Sequence, residues 1–308
     1  MKILVTGGAG FIGSHIADEL VRESRAVIIL DNFCSGSAKN LAGIPKNKLK
    51  IARADVKKFA QMQGHFKGCD AVFHFAADPD VRESATNPKK SFEDNVLGTF
   101  NVLEACRKHD VKHLVFASTS TVYGNAAIPT PEEAPIAPIS NYGASKAACE
   151  AYVSSYSHSY GIKSTILRYA NIFGPRSRHG VIFDFFYKLK KDGKKMQILG
   201  DGQQKKSYLF VSDAVQATIF AAGHHRGLCD VYNVGSDQLH TVDEIASLVC
   251  DKLGVSPKFS YTGGKQGWVG DVTQMLLATK KLKAIGWEQS HSLQSGISEY
   301  IDWLHKNK

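Results

Sequence analysis

Lys2-Ile-Leu-Val5-Thr6-Gly7-Gly8-Ala9-Gly10-Phe11-Ile12-Gly13 is the stretch whose reading decides the fold. A short apolar run ends in glycines spaced GxxGxxG, and residues 12–21 continue with apolar side chains at helical spacing. Strand, sharp turn and helix in that order suit a dinucleotide. Glycine permits the turn, lets the backbone approach a pyrophosphate and allows close packing of helix on sheet. Free N–H groups at the start of the helix then face the phosphates.

Working outward, residues 26–30, 48–52, 71–75 and 113–117 are further short apolar runs, separated by segments of helical pattern. Continuous rather than alternating runs indicate strands buried on both faces, hence a parallel sheet covered by helices. Strands alternating with helices predict an α/β, doubly wound (Rossmann) fold. One more strand, residues 164–169, leads into Asn171-Ile-Phe-Gly-Pro-Arg176, where Gly174-Pro175 breaks the pattern. Residues 1–172, with returns near 209–236, are assigned to the nucleotide-binding domain. Residues 173–308 are assigned mainly to a smaller, interleaved substrate region. It carries a helix over 180–191, the turn Gly200-Asp201-Gly202 and a C-terminal helix over about 292–305.

Composition narrows the function classes. A chain of 308 residues with 43% hydrophobic and 22% charged residues is ordinary for a globular protein. The six cysteines form no CxxC pair, which fits reduced thiols and a cytoplasmic setting. No run of 18 apolar residues exists to span a membrane, and the run at residues 3–5 is too short for a signal core. The net charge of +9 invites a nucleic-acid reading, but the densest basic run, Lys188 to Lys195, reads as a solvated helix end without any nucleic-acid motif. We expect no nucleic-acid or membrane partner. His224-His225 is a tempting metal pair, but neighbours on a helix do not face one point and no third ligand is evident, so no catalytic metal is expected. His74 reads as a packed, hydrogen-bonded histidine.

Asp31 ends the second run, 24 residues after Gly7. A carboxylate there accepts hydrogen bonds from an adenosine ribose and repels a 2′-phosphate, which favours NAD over NADP. Asp55, after the third run, is placed either to reach the adenine amino group or to cap the next helix. Tyr142 and Lys146 lie one helical turn apart, on one face. A phenol is a poor base near neutral pH, but an ammonium about 4 Å away at an effective dielectric of about 20 stabilises phenolate by roughly 4 kcal/mol, about three pKa units. Tyr187 and Lys191 share the spacing. Position separates the pairs: Tyr142 starts a helix soon after a strand ending in Ser118-Thr119-Ser120-Thr121, at the sheet edge where ligands bind. Tyr187 lies in the second region.

Gly7 to Gly13, Ser118-Thr119 before Tyr123-Gly124, and Tyr142-Gly-Ala-Ser-Lys146 together resemble the extended short-chain dehydrogenase/reductase family. Within it the chain is similar to NAD-dependent sugar-nucleotide epimerases of the UDP-glucose 4-epimerase type. The likeness covers nearly the whole chain, with His74-Phe-Ala-Ala77, Asn95-Val-Leu-Gly-Thr99 and Leu167-Arg-Tyr-Ala-Asn171 in family order. It implies catalytic roles for Thr119, Tyr142 and Lys146: Tyr142 as base toward the sugar C4 hydroxyl, Thr119 as its hydrogen-bond partner, Lys146 orienting a ribose. It implies NAD contacts from Gly7, Gly10, Phe11, Ile12 and Gly13 at the diphosphate. Further contacts are implied from Asp31, Asn32, Asp55 and Val56, then from Phe75, Ala76, Ala77 and Asn95. Ser118, Tyr142, Lys146 and Tyr169 complete the implied cofactor set. Thr119, Tyr142, Asn171 and Lys206 are implied as contacts of a nucleotide-diphosphate sugar, with a UDP-sugar preferred. A homodimer paired through residues 88–109 and 142–160 is also implied.

Dehydratases resembling this fold carry Asp-Glu directly after the threonine, and related decarboxylases a glutamate in the second place; here stand Ser120 and Thr121. Neither hydroxyl is a competent acid or base near neutral pH, so epimerisation is the expected outcome. Members that bind dinucleotide without catalysis usually lose the Tyr-Lys pair, which this chain keeps. Two departures touch the diphosphate: Lys205-Lys206-Ser207-Tyr208 replaces a common Arg-Asp-Phe, and Trp268 precedes Val269-Gly270-Asp271 where many relatives place an arginine. Lysine holds a diphosphate as a point charge rather than a bidentate fork.

Overall fold

In the first half of the chain the backbone alternates between strand and helix, as the apolar runs require. The computed structural model describes residues 1–264 and 272–307; Trp268, Val269, Gly270 and Asp271 lie outside them. Six strands, β1 (Lys2–Thr6), β2 (Ala26–Asp31), β3 (Leu49–Arg53), β4 (Ala71–His74), β5 (His113–Thr119) and β6 (Lys163–Tyr169), join Cys229–Val234 in one parallel sheet. Its order is Cys229–Val234, β6, β5, β4, β1, β2, β3. The order reverses between β1 and β4, so a crevice opens at the carboxyl ends of those two strands, the usual place for a ligand in such sheets.

Successive side chains of a strand point to opposite faces, and the two faces fill differently. Ile3 and Val5 pack with Ile16 and Leu20 of helix α1 (Phe11–Arg22) and with Ala214 and Ala217 of helix Val211–Gly223. Leu4 packs on the other face with Val72, Leu103, Phe116, Cys149 and Val153. The result is three layers, helices on both sides of the sheet. β3 departs from the expectation of strands buried on both faces, because it is the sheet's edge and Ile51 is left 49% exposed.

A separate core of Phe173, Phe186, Ile198, Phe210, Ile245 and Tyr300 holds the rest of the chain. It is built from helices Val181–Lys191, Val242–Leu253 and Leu293–Lys306 and from short strand pairs. One pair, Asn171–Phe173 with Tyr208–Phe210, directly continues β6. Tyr187, the decoy, sits in this region with its ring 4.5 Å from that of Phe183, away from the glycine turn.

Two boundaries matter for function. β5 runs on to Thr119 because Ser118 and Thr119 pair in register with Arg168 and Tyr169 of β6. Helix Asn141–Tyr160 starts at Ser140, whose hydroxyl accepts the Gly143 N–H at 3.1 Å, and stops at Gly161 with φ +70°. A cap of this kind stabilises a helix by about 1 kcal/mol. The helix expected over residues 88–109 is interrupted by a wide π-helical turn at Phe92–Leu97, between Pro88–Ser91 and Gly98–Lys108. Such turns concentrate at functional sites.

Candidate active site

At the glycine turn each glycine has its own reason. Gly7 has φ +65°, and a Cβ there would lie 2.6 Å from the Ala76 nitrogen. A Cβ on Gly13 would run into the Gly7 carbonyl. These two positions are demanded by the protein's own packing. Gly10 is different: its φ is −77°, and a Cβ would meet nothing but the Gly7 carbonyl oxygen, at 3.1 Å. The space in front of Gly10, at the N-terminus of α1, is therefore a cradle a Cβ would partly fill, and it suits a pyrophosphate.

Asp31 braces this cradle, since one carboxylate oxygen accepts the Ala9 N–H at 2.9 Å and the other the Phe33 N–H at 2.7 Å. Asn32 donates to the Asp55 carboxylate at 3.3 Å, and Asp55 also accepts the Lys57 N–H at 2.9 Å. Asp31, Asn32 and Asp55 thus line the carboxyl ends of β2 and β3, where a dinucleotide's adenosine half would lie; Val56 is buried beside them. The Phe75 N–H donates to the Thr6 carbonyl and the Ala76 N–H to the Thr6 hydroxyl, which keeps residues 75–77 against the glycine turn. His74 is buried between the Thr6 and Thr99 hydroxyls, at 2.6 and 3.0 Å. Burial, then the Lys146 charge, lowers its pKa to about 3, so it is a neutral packing histidine.

On the far side of the crevice, helix Asn141–Tyr160 meets the end of β5 as a ladder. Thr119 stands beside the Tyr142 phenol and favours its ionised form. Lys146 Nζ donates to the Ala117 carbonyl at 2.7 Å and stands 4.7 Å from the centre of the Phe116 ring. Ser118 Oγ donates to the Glu150 carboxylate. Residues 142, 146 and 150 are one turn apart, so one helix stripe reads consecutive residues of one strand. Gly143 permits this closeness: a Cβ there would lie 2.7 Å from the Thr121 carbonyl oxygen. Thr119 Oγ also accepts the Thr121 hydroxyl and N–H, each at 3.2 Å.

The electrostatics differ from the simple pairing expected of Tyr142 and Lys146. Burial pushes the Tyr142 phenol up to about 12, against the influence of Thr119, and Cys149 and then Asp78 add to the rise. Burial also lowers the Lys146 ammonium, against the charges of Cys149 and Glu150. Low polarity around the pair favours both neutral forms.

Asn95 ties the two sides together. Its carboxamide accepts the Asp78 N–H at 2.8 Å and donates to the Asp78 carbonyl at 3.1 Å and to Ser145 Oγ at 2.9 Å. Ser145 in turn donates to the Tyr142 carbonyl. The carboxylate of Asp78 is buried, with one oxygen 2.8 Å from Lys90 Nζ and the other without a hydrogen-bond partner. Tyr169 donates to or accepts from Thr218 at 2.6 Å and stands 6.3 Å from the Phe75 ring. Asn171 Nδ2 donates to the Ser207 carbonyl at 3.1 Å, and Lys206 lies in the short strand just before. Asn171 lies on the strand that pairs with Tyr208–Phe210, whereas Lys206 lies in a separate small sheet, paired with His240–Thr241 and Gln274–Met275.

Sequence reasoning passed over Glu150, Arg168 and the clamp made by Asn95. The signal for the first two was present: a carboxylate in the stripe of Tyr142 and an arginine inside the apolar strand at 163–169 each need a buried partner. Among the described residues no group of three or more His, Cys, Asp and Glu is arranged to hold a metal ion. His224 turns back to the Phe220 carbonyl, while His225 packs on His113.

Comparison with known proteins agrees with this geometry. The sequence profile of the NAD dependent epimerase/dehydratase family matches residues 3–235. A putative UDP-glucose 4-epimerase of Methanocaldococcus jannaschii is 36% identical over 312 residues, covering 99% of each chain. Among solved structures, a UDP-galactose 4-epimerase superposes with TM-score 0.89 at 41% identity, covering 99% of each chain. The Thermus thermophilus UDP-glucose 4-epimerase in complex with NAD gives 0.91 at 35% identity, covering 100% of each. The similar proteins extend to other reactions, including a UDP-N-acetyl-alpha-D-glucosaminuronate decarboxylase of Bacillus cytotoxicus at 31% identity over 99% of this chain and 98% of the relative. Glycine cradle, Tyr-Lys stripe and profile lead to one conclusion: this chain is an NAD-using enzyme and belongs to the NAD dependent epimerase/dehydratase family.

Proposed function

We propose that the protein is a UDP-sugar 4-epimerase, interconverting UDP-glucose and UDP-galactose through a 4-keto sugar. The observation that carries this reading is the pair of hydroxyls at the end of β5, where Thr121 donates to Thr119 and Thr119 stands beside the Tyr142 phenol. Thr121 spends its hydroxyl on Thr119, and no carboxyl group stands at 120 or 121 to eliminate water or assist loss of a carboxylate. Bound NAD supplies a hydride acceptor and donor for the sugar C4. Tyr142 removes the C4 hydroxyl proton while Thr119 holds that oxygen; once the 4-keto sugar has turned over, hydride returns to the opposite face of C4 and Tyr142 returns the proton to the ketone oxygen. Lys146, anchored on the Ala117 carbonyl, supplies positive charge beside the phenol and orients a ribose. The backbone of Gly7, Gly10, Phe11, Ile12 and Gly13 receives the cofactor diphosphate, with Asp31 and Asn32 at the adenosine ribose. Asn171 and Lys206 receive the substrate diphosphate, and the net charge of +9 helps attract it.

One observation favours a second reading within the family. Asp78 is a buried carboxylate close enough to Tyr142 to raise its pKa, and one of its oxygens has no partner. In a dehydratase that oxygen would be the base. Incubation with a panel of sugar nucleotides, read by chromatography, separates the two: epimers support the first, and a 4-keto-6-deoxy product overturns it.

The protein acts as a homodimer in this reading, which rests on the exposure of Phe92, Leu97, Phe100, Tyr152 and Tyr160 along residues 88–108 and 141–160. Its described helices include none long and apolar enough to cross a membrane. All six cysteines are free, which suits a cytoplasmic setting.

A further inference from the structure

Glu150 lies two turns below the reactive phenol and is almost wholly enclosed, with its side chain 4% exposed. A buried carboxylate is costly unless paired, and this one is paired fully. Arg168 Nε donates to its two oxygens at 3.0 and 3.1 Å, Arg168 Nη2 donates at 2.6 Å, and Ser118 Oγ donates as well. Arg168 is held in turn by the Tyr123 hydroxyl at 2.7 Å and the Glu132 carbonyl at 2.9 Å. Tyr123 passes the chain on to Asn233 at 2.8 Å. The cluster therefore joins helix Asn141–Tyr160, β5, β6 and the edge strand Cys229–Val234.

Its place is specific. Ser118 sits between Ala117, which receives Lys146, and Thr119, which meets Tyr142. A shift of the helix along β5 would break the Lys146 and Glu150 rungs together and part Tyr142 from Thr119. We propose that Glu150, clamped by Arg168 and Ser118, is a positioning residue for the Tyr142–Lys146 pair: it sets the register of the reactive stripe on β5 and places a fixed negative charge beneath the ammonium. This inference rests on the assignment of Tyr142 and Lys146 to proton transfer, not on the identity of the sugar.

The charged and titratable groups facing the pair are Cys149 and Glu150 on its own helix, Asp78 after β4, His74 on β4 and Arg168 on β6. Of these, Asp78 is paired with Lys90 and still raises the phenol, and His74 is uncharged. Replacing the Glu150 anion by a neutral group disfavours ammonium and favours phenolate, so both midpoints must move to lower pH.

The test uses the NAD-loaded protein. Tyrosinate absorbance is titrated in Glu150→Gln against a Tyr142→Phe reference, alongside the pH profile of turnover. In Glu150→Gln the Tyr142 midpoint and both limbs of the profile are expected to move down by about one pH unit. At the optimum kcat is expected to fall about tenfold, with KM within about twofold, as for loss of an interaction that matters in the transition state. Glu150→Gln with Arg168→Met leaves no unpaired buried charge, so it is the variant that keeps its fold, and its midpoints move the same way by a smaller amount. Unchanged midpoints in both variants, with turnover tracking the folded fraction, would overturn the proposal and leave Glu150 a purely structural residue. If UDP-glucose proves not to be a substrate, the tyrosinate titration still decides the matter.

Discussion

Gly10→Ala separates what the glycine turn does for the fold from what it does for the cofactor. Gly10 has an ordinary extended backbone, φ −77° and ψ −172°, so alanine enters without strain there. The added methyl meets only the Gly7 carbonyl oxygen, at 3.1 Å, and needs a shift of a few tenths of an ångström. Losing glycine at a helix N-cap costs some tenths of a kcal/mol, and a stiffer unfolded chain returns about 0.4–1 kcal/mol. The free protein should therefore keep its stability within about 1 kcal/mol, about 3 °C in melting temperature. In the proposed cofactor site the same methyl would stand between the diphosphate and the first N–H groups of α1. Losing one charge-assisted hydrogen bond costs about 1.5–3 kcal/mol, a 10- to 150-fold weaker Kd. Calorimetric titration with NAD and melting with and without NAD measure both numbers, and the NAD-induced rise in stability should shrink by the same amount. Gly7→Ala is the contrast. Its φ of +65° and the 2.6 Å approach to the Ala76 backbone should remove at least about 3 kcal/mol from the free protein. A Gly10→Ala protein that binds NAD as the wild type does would refute the reasoning, because nothing in the protein's own packing requires that glycine.

Tyr142→Phe keeps the ring and loses the acid–base group, so turnover should fall by about 10³ while NAD binding stays within a few-fold; retention of a tenth of wild-type turnover would remove Tyr142 as the base. Acid stability depends on His74 and His113, both lowered to about 3, chiefly by burial. Between about pH 6.5 and 3 the unfolded chain binds these protons and the folded one does not. Stability present above 6.5 is therefore lost on acidification, by up to about 1.4 kcal/mol per pH unit for each histidine, and His74→Gln should remove one proton from the slope measured by urea unfolding. Phe100 is 37% exposed and packs edge-on against Tyr152 and Tyr156 on the neighbouring helix. Phe100→Asp should convert a sedimenting dimer to monomer, and a wild type that is already monomeric at micromolar concentration would count against the dimer.

Local pattern made part of this molecule legible and long-range geometry hid the rest. Apolar runs of four to seven residues and the glycine turn report on their own neighbourhood, so the parallel sheet and the cofactor crevice could be read in advance. The exposed face of β3 could not, because it depends on which strand ends at the edge. The wide turn at Phe92–Leu97 was equally hidden, since Asn95 is satisfied by Asp78 and Ser145, 17 and 50 residues away. Tyr142 and Lys146 were visible because one helical turn contains both. Their supports were not: Ser118 and Glu150 are 32 residues apart, and Glu150 and Arg168 are 18 apart. Spacing alone also misled on the charge state. It predicts an acidic phenol next to an ammonium, whereas enclosure of both groups pushes the phenol to about 12.

That reversal has a mechanistic consequence. A pair whose surroundings favour the neutral phenol holds its proton until positive charge is added nearby, and the only fixed anion on the pair's own stripe, Glu150, already belongs to Arg168. Each unit of pKa corresponds to about 1.4 kcal/mol, so bringing a phenol from about 12 to near neutrality needs about 7 kcal/mol of added stabilisation of phenolate. A fully charged ammonium about 4 Å away would supply roughly 4 kcal/mol of this, which would leave about 3 kcal/mol to a second cation. The oxidised nicotinamide carries one positive charge and its reduced form none. In the proposed reaction, a phenol set this high would act as a base beside an oxidised cofactor and as an acid beside a reduced one. That is the order of protonation an oxidation followed by its own reversal requires.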